Sequence, residues 1–488
     1  MPLLPADSSN GTIIHLTYDY DATTIFEETT SILARQADAP PVMGDGDEEP
    51  VDDLRQKKKN KDEDDEGGLK FYLKSVVFSG AKYHVVTKDP SNNTDQVYPT
   101  PHWEDNSEEL DGDAEDDGDK KSPVCYESGA IPKVTVKFKI ENADSIPEST
   151  TKWPVKGTGP DNFIFEGDAD IDRDKGSMTL TTSAKNNIKF TNNKVRIYNG
   201  ESDAGDDDKP FKIKWEVGTG QTGTDEYETV TTSKNTFYVT HGKPKTTTYH
   251  TLLHIGCKNA DGKTKENEIV AAIWNEFEDL HVKRVNTDTD MTYWKTETPK
   301  KIMREMLRSQ DGDGSCYSWG KLFHNTLSVQ DISSKMRHIV TDVNKMSFTS
   351  QQFIKDLRIK LANEYPNSQI IPPARVLNIF FVNKWSFDEN NRFNCIDEDG
   401  LNGQGDIEPS SSAFLNHSMV LYRGKYYDPS YGKIFNSLVD FEEECIDGYG
   451  FFATFRVSVQ NRIIRLKFYW FGAEDEQNEQ ETTLLRKR

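Results

Sequence analysis

Cys316 stands where a reactive thiol is expected. It follows a turn of small and acidic residues in the segment DGDGSCYSWGKLF. The residues after it place one apolar stripe on a helix: Trp319, Leu322, Phe323 and Leu327. Cys316 is therefore predicted to lie at a helix N-terminus. There the partial positive charge favours thiolate over thiol, and free N–H groups can hold a developing oxyanion.

A thiolate nucleophile also needs a base, and His417 is the best candidate among ten histidines. It lies in FLNHSMVLYRGKYYDPSYG, where Arg423 and Gly424 are predicted to form a two-residue hairpin turn that pairs Met419 with Asp428. His417 and Asp428 are then diagonal neighbours on one sheet face, so that Asp428 can orient the imidazole. A one-residue slip in the pairing would separate them.

These segments resemble the transglutaminase-like branch of the papain-like superfamily. That family has a Gly-x-Cys helix start and an apolar helix, then a His on one strand and an Asp before Pro on the next. GSCYSWGKLFHNTL is similar to the first block and NHSMVLYRGKYYDPSYG to the second, so the resemblance covers only residues 311–332 and 414–432. It implies that Cys316 is the nucleophile, His417 the general base and acid, and Asp428 the orienting residue. The His-to-Asp spacing is short for the family, and the two residues after the His also differ.

Gln310 is a fourth candidate site residue. It lies six residues before Cys316, the separation at which papain-like proteases carry an oxyanion-hole glutamine. The intervening DGDG does not resemble their sequence, so a coincidence is the alternative interpretation.

Acid-rich turns and clustered histidines raise the question of metal binding. None of the turns completes an EF-hand, so solvated turns are favoured over calcium sites in residues 167–177, 311–315 and 397–406. His241, His250 and His254 are close in sequence, but no further ligand completes a zinc set, and structural roles are the default. No metal or cofactor is predicted.

Charge and hydropathy limit the classes of partner. The net charge of −23 and the pI near 4.9 disfavour nucleic acid and anionic membrane surfaces, because the few basic runs sit among acids. The first residues lack a basic and apolar signal pattern, and no apolar stretch approaches the length of a bilayer span. We therefore expect a soluble protein, cytoplasmic or exported without a Sec signal, for example within a delivery particle.

A chain of 488 residues predicts two or three folded units. Residues 1–68 hold one strand, TIIHLTYDY, and then a charged linker. Residues 69–245 repeat short alternating runs such as KVTVKFKI, typical of an antiparallel, immunoglobulin-like β-sandwich. Near 246 the period changes, and helices followed by strands predict an α+β domain over 246–472. Residues 473–488 are expected to be a polar tail without order.

The first helix-period segment of the α+β region is ENEIVAAIWNEFEDL. It places four apolar residues on one helical face: Ile269, Ile273, Phe277 and Leu280.

Two functions from different classes follow. The first is a cysteine-dependent amide hydrolase, a peptidase or glutamine deamidase, that acts on a protein or peptide through a thioester and needs no cofactor. The second is a non-enzymatic structural, cargo or effector component of a phage or contractile injection assembly, in which the cysteine fold is a scaffold. Solvent access to Cys316 should separate them.

Overall fold

The computed structural model of the protein describes residues 12–19, 68–473 and 485–487, apart from residues 106–119, 199–209, 342–353 and several shorter stretches of the middle range. In these residues the chain is mostly β-strand with few helices. No helix among them is long and apolar enough to cross a membrane. The charged linker and most of the acidic run at 104–121 lie outside the described residues.

The first half of the chain forms strands with only short turns of 3-10 helix between them. The strands are β1 Thr12–Asp19, β2 Lys70–Ser79, β3 Tyr83–His84, β4 Trp103–Glu104, β5 Lys120–Lys121, β6 Val124–Glu127, β7 Lys133–Glu141, β8 Lys152–Thr158, β9 Ile164–Asp172, β10 Ser177–Ser183, β11 Arg196–Tyr198, β12 Phe211–Gly218, β13 Tyr227–Asn235 and β14 Phe237–Thr240.

The second half begins with helices and continues with strands. Its elements are α1 His250–Lys258, α2 Glu266–Glu278, α3 Met303–Arg308, α4 Cys316–Val329, β15 Lys335–Thr341, β16 Gln369–Ile371, β17 Val376–Val382, β18 Trp385–Phe387, β19 Phe393–Cys395, β20 Ala413–Phe414, β21 His417–Tyr422, β22 Lys425–Asp428, β23 Lys433–Phe435, α5 Leu438–Cys445, β24 Ile446–Val459, β25 Arg462–Ala473 and β26 Leu485–Lys487.

Two sheets enclose the core of the first region. One has nine strands in the order β13-β12-β8-β9-β10-β7-β2-β4-β5, and the other has the order β11-β14-β6-β3. The alternation predicted for KVTVKFKI is confirmed: Val134, Val136 and Phe138 are buried, while Lys137 and Lys139 are exposed. The sheets are antiparallel, except that β14 and β6 pair in parallel.

The four-stranded sheet is shared by two hydrophobic cores. Phe237 and Val239 of β14 pack into the core of the first region, whereas Tyr238 between them packs into the core of the second. On β6, Tyr126 likewise faces the first core and Cys125 the second. Because successive side chains of a strand point to opposite faces, one sheet closes both cores.

The helices of the second region follow the predicted pattern, with one correction. Ile269, Ile273 and Phe277 of α2 are buried as expected. Leu280 is not part of that helical face, because α2 ends at Glu278 and Leu280 has a φ of 61°. A positive φ is incompatible with continuing a right-handed helix.

The chain ends change the domain picture drawn from sequence. The predicted N-terminal strand is present as β1, but it pairs with β25 and so belongs to the sheet β1-β25-β24-β17-β20 of the second region. In the stretch expected to be an unordered tail, β26 pairs with β15 at the edge of the sheet β23-β22-β21-β15-β26. Both segments add edge strands to sheets whose other members lie far away in sequence.

Candidate active site

The structure confirms that Cys316 begins a helix. It is the first residue of α4, and Ser315 before it is extended, with φ −78° and ψ 168°. The side chain of Ser315 does not cap the helix, and no acidic residue lies in the first turn. The first N–H groups of α4 therefore have neither a side-chain cap nor an acceptor within the helix, and the partial positive charge of this helix end lies at Cys316.

A buried carboxylate fixes the turn before Cys316. Asp313 is 2% exposed. It accepts the backbone N–H of Lys295 at 2.9 Å and that of Thr296 at 3.0 Å, and it also accepts the hydroxyl of Thr292 at 3.2 Å. This aspartate ties the loop at 292–296 to the start of α4, so the acid-rich turn at 311–315 has a structural role.

The hairpin that carries His417 and Asp428 has the predicted register. Tyr422 pairs with Lys425. Arg423 and Gly424 have φ values of 47° and 88°, as a two-residue turn with both central residues at positive φ requires. His417 opens β21 and Asp428 closes β22, so the hairpin places them on one face.

His417 and Asp428 form a buried pair. Nε2 of His417 and Oδ2 of Asp428 are 2.6 Å apart, and both side chains are 0% exposed. The other carboxylate oxygen of Asp428 accepts the N–H of Ser430 at 3.1 Å. The carboxylate is thus fixed from both sides and can hold the imidazole in one orientation.

The second ring nitrogen of His417 is not engaged by Asp428. Burial acts to lower the pKa of His417, but the charge and hydrogen bond of Asp428, supported by a hydrogen bond and the charge of Cys316, raise it to about 10. Since Nε2 is engaged by Asp428, the nitrogen left for Cys316 is Nδ1, which is buried and makes no hydrogen bond of normal geometry among the described residues. This order of thiol, imidazole and carboxylate is that of a nucleophile, a base and an orienting group.

Aromatic rings enclose the imidazole. Its centroid is 5.8 Å from that of Phe414, 5.6 Å from that of Tyr431 and 5.9 Å from that of Phe441, which stacks on it at 15°. Phe441 belongs to α5, so this helix packs against the imidazole. The enclosure excludes water and strengthens the electrostatic interaction of His417 with Asp428.

The site is nearly closed to solvent. Cys316 is 6% exposed, and His417 and Asp428 are fully buried. The other buried cysteines lie in apolar surroundings, and burial raises the pKa of Cys125, of Cys257 to about 12, and of Cys445. Those three thiols are therefore expected to be inert near neutral pH.

Gln310, the fourth predicted residue, is placed differently. It lies in the turn after α3 and is exposed, unlike the three buried residues. Its backbone carbonyl accepts a hydrogen bond from Arg284 at 2.5 Å. The structure shows no contact of its side chain with Cys316 in the part of the chain it describes.

The described residues add no ligand to the segments that were considered for metal binding. Among the described residues, no group of three His, Cys, Asp or Glu side chains could hold a metal ion. Asp168, Asp170 and Asp172 of the segment 167–177 lie on strand β9, not in a loop. His250 is bound by tyrosines instead: Tyr98 at 2.6 Å on Nδ1 and Tyr238 at 2.9 Å on Nε2, while Tyr238 also reaches His254 at 3.2 Å.

Sequence reasoning missed residues that position the site. Gln404, in the acid-rich stretch at 397–406, is 0% exposed and donates from Nε2 to the carbonyl of Pro429 at 2.8 Å, next to Asp428. Tyr293 and Tyr431 lie against one another, with ring centroids 5.1 Å apart. These residues lie in loops without periodicity, so no local signal marks them.

Comparison of the chain with models of protein families, with curated proteins and with solved structures finds no match. The geometry of Cys316, His417 and Asp428 is therefore the basis of the functional argument.

Proposed function

We propose that the second region is a cysteine-dependent amide hydrolase with a transglutaminase-like fold, in which Cys316, His417 and Asp428 form a catalytic triad. The immunoglobulin-like character of the first region belongs to the same proposal. The observation that carries it is the imidazole of His417, which binds Asp428 through one nitrogen and has the other left for the thiol at the start of α4. The hairpin that carries His417 and Asp428 packs through β21 on α4, the helix that begins with Cys316.

The proposed reaction has two steps. His417 takes the proton of the Cys316 thiol as Sγ adds to the amide carbonyl, and the C–N bond breaks as His417 gives that proton to the leaving amine or ammonia. Water then attacks the thioester while His417 takes a proton from it. The C–S bond breaks and His417 returns the proton to the sulfur, which releases a carboxylic acid and restores the thiol. Asp428 keeps the imidazole oriented and stabilises its protonated form.

Hydrolysis is favoured over cross-linking. Water is always available to resolve a thioester, whereas amine transfer requires a binding site for a second substrate. The substrate class that fits the chemistry is a peptide bond or a glutamine side chain of a protein or peptide.

A scaffold function is the second candidate, and the burial of the site favours it. With Cys316 at 6% exposure and both partners at 0%, a substrate reaches the sulfur only after the aromatic enclosure opens. In a structural or cargo component of a phage or contractile injection assembly, a sealed trio of this kind would serve packing alone.

Alkylation separates the two candidates. The full chain, its His417→Ala variant and a His324→Ala control are treated with iodoacetamide between about pH 5 and about pH 9, and modified cysteines are located by mass spectrometry. His324 suits the control because it lies on the same helix as Cys316 and contacts Ser334 instead of the thiol.

The enzyme proposal expects Cys316 to be modified selectively below the ordinary thiol pKa of about 8.5. It also expects this reactivity to disappear in His417→Ala and to persist in His324→Ala. If Cys316 reacts no faster than Cys257, the thiol is not activated, and the scaffold function takes its place.

A further inference from the structure

Tyr293 carries a buried hydroxyl that the reaction described above does not use. The residue is 4% exposed, and its Oη has no hydrogen-bond partner among the described residues. Leaving a buried hydroxyl unpaired destabilises the folded state. Native structures contain few buried polar groups without a hydrogen-bond partner, so each of these groups requires an explanation. A catalytic role is one such explanation.

The backbone holds Tyr293 firmly beside the start of α4. Tyr293 forms a parallel bridge with Gly314, two residues before Cys316. Its N–H donates to the carbonyl of Gln404 at 2.9 Å. Its ring lies on Gly403, where a Cβ would come within 2.6 Å of the ring. The side chain is thus fixed relative to Cys316 from two sides.

The ring of Tyr293 extends into the group of reacting residues. Its centroid is 5.1 Å from that of Tyr431, whose own centroid is 5.6 Å from that of His417. Burial, followed by the charges of Tyr431, Cys316 and Asp428 and then a polar contact with the Tyr431 hydroxyl, raises the pKa of Tyr293 well above its usual value. The hydroxyl therefore stays protonated and remains a donor at any ordinary pH.

The start of α4 supplies a second donor near the same sulfur. No side chain caps this helix, so the N–H of Cys316 is available. An oxyanion formed by attack of Cys316 is best stabilised by two preorganised donors in a site without water.

We propose that Oη of Tyr293 and the N–H of Cys316 together bind the oxyanion of the tetrahedral intermediate. As the bond between Sγ of Cys316 and the carbonyl carbon forms, the π pair of the carbonyl moves onto oxygen, and Tyr293 donates a hydrogen bond to it without losing its proton. When the intermediate collapses, the carbonyl reforms and the hydrogen bond weakens. This inference rests on the proposed function and adds a catalytic residue to it.

Two reactions of the same sulfur separate this role from a structural one. Hydrolysis of p-nitrophenyl acetate passes through an oxyanion. Alkylation by iodoacetamide is a displacement at a saturated carbon and forms none. A residue that binds only the oxyanion affects the first reaction and leaves the second unchanged.

The test compares Tyr293→Phe with Tyr422→Phe in the full chain, with the rate of Cys316→Ala subtracted as background. Tyr422 is a matched control because its hydroxyl is also buried and unpaired among the described residues, but it lies at the other end of β21 from His417. We expect Tyr293→Phe to slow ester hydrolysis by about 100- to 1,000-fold. Its Cys316 alkylation and its KM should stay within about twofold of the unchanged chain, and Tyr422→Phe should leave both reactions unchanged.

Other outcomes overturn the inference. An equal loss of both reactions in Tyr293→Phe would show that Tyr293 positions the sulfur, and no loss in either would show that its hydroxyl is idle. If the unchanged chain neither hydrolyses the ester above the Cys316→Ala rate nor alkylates selectively at Cys316, the proposed function itself has failed. That failure is visible without any Tyr293 variant.

Discussion

Replacing Asp428 by asparagine should destabilise the protein by an amount that falls as pH rises. The change keeps the size of the side chain but removes the charge that pairs with His417. In the unchanged protein the pKa of His417 is raised from 6.5 to about 10 by Asp428, against the effect of burial. In the variant only the smaller effect of Cys316 still opposes burial, so the pKa of the buried imidazole falls.

The magnitude follows from proton linkage. Below about pH 6.5 both the folded and the unfolded protein hold the proton on His417, so the pair contributes fully. Between about 6.5 and about 10 only the folded protein holds it, and the contribution falls by about 1.36 kcal/mol per pH unit. Over this interval the loss is on the order of 5 kcal/mol, in line with the roughly 3–5 kcal/mol expected when one partner of a buried pair is removed.

Urea unfolding followed by circular dichroism at about pH 6, 8 and 10 measures this dependence. Asp290→Asn is the matched control, since Asp290 binds His281 at 2.9 Å with side chains 30% and 55% exposed. An exposed pair of this kind contributes about 1 kcal/mol or less. The reasoning is refuted if Asp428→Asn costs no more than Asp290→Asn at pH 6, or if its cost does not decrease towards pH 10.

Two further predictions concern the elements around the site. Gly424→Ala should lower the free energy of unfolding by about 1–2 kcal/mol, because Gly424 has a φ of 88°; thermal unfolding would show it, and an unchanged Tm would contradict it. His250→Gln should weaken the rise of the free energy of unfolding with pH under acidic conditions. Burial lowers the pKa of His250 to about 3, so between about pH 3 and 6.5 the unfolded state binds the extra proton and stability rises with pH. The measurement is the urea midpoint of unfolding across this pH range. If His250 is not the group responsible, the midpoint of the variant should rise with pH as steeply as that of the unchanged protein.

The hairpin and the helix start could be predicted because each depends on local sequence. Arg423 and Gly424 fix the turn, and the two-residue period of a strand then places His417 and Asp428 on one face. The position of Cys316 follows from the apolar stripe behind it. These are the parts of the site in which neighbours in sequence are also neighbours in space.

The rest of the site depends on contacts that sequence does not mark. Tyr293 lies beside the start of α4, where it bridges to Gly314, and Asp313 accepts hydrogen bonds from the loop that follows Tyr293. No periodicity in the sequence marks such a loop. The pairing of β26 with β15 was missed for a related reason. Composition indicates whether a segment can bury apolar surface, but not whether a sheet edge elsewhere has backbone groups left to pair.

The shared sheet determines how the two regions depend on each other. A boundary near residue 246 divides the chain in sequence, but β14 lies before it and carries Tyr238, whose hydroxyl binds His250 at the start of α1. Cys125 of β6 adds to the same core from the same sheet face. Cutting the chain at 246 would therefore remove one wall of the core against which α1 packs, and α1 in turn packs on α4, the helix that begins with Cys316. The first region is thus part of the framework that positions the thiol, and not an appendage to it.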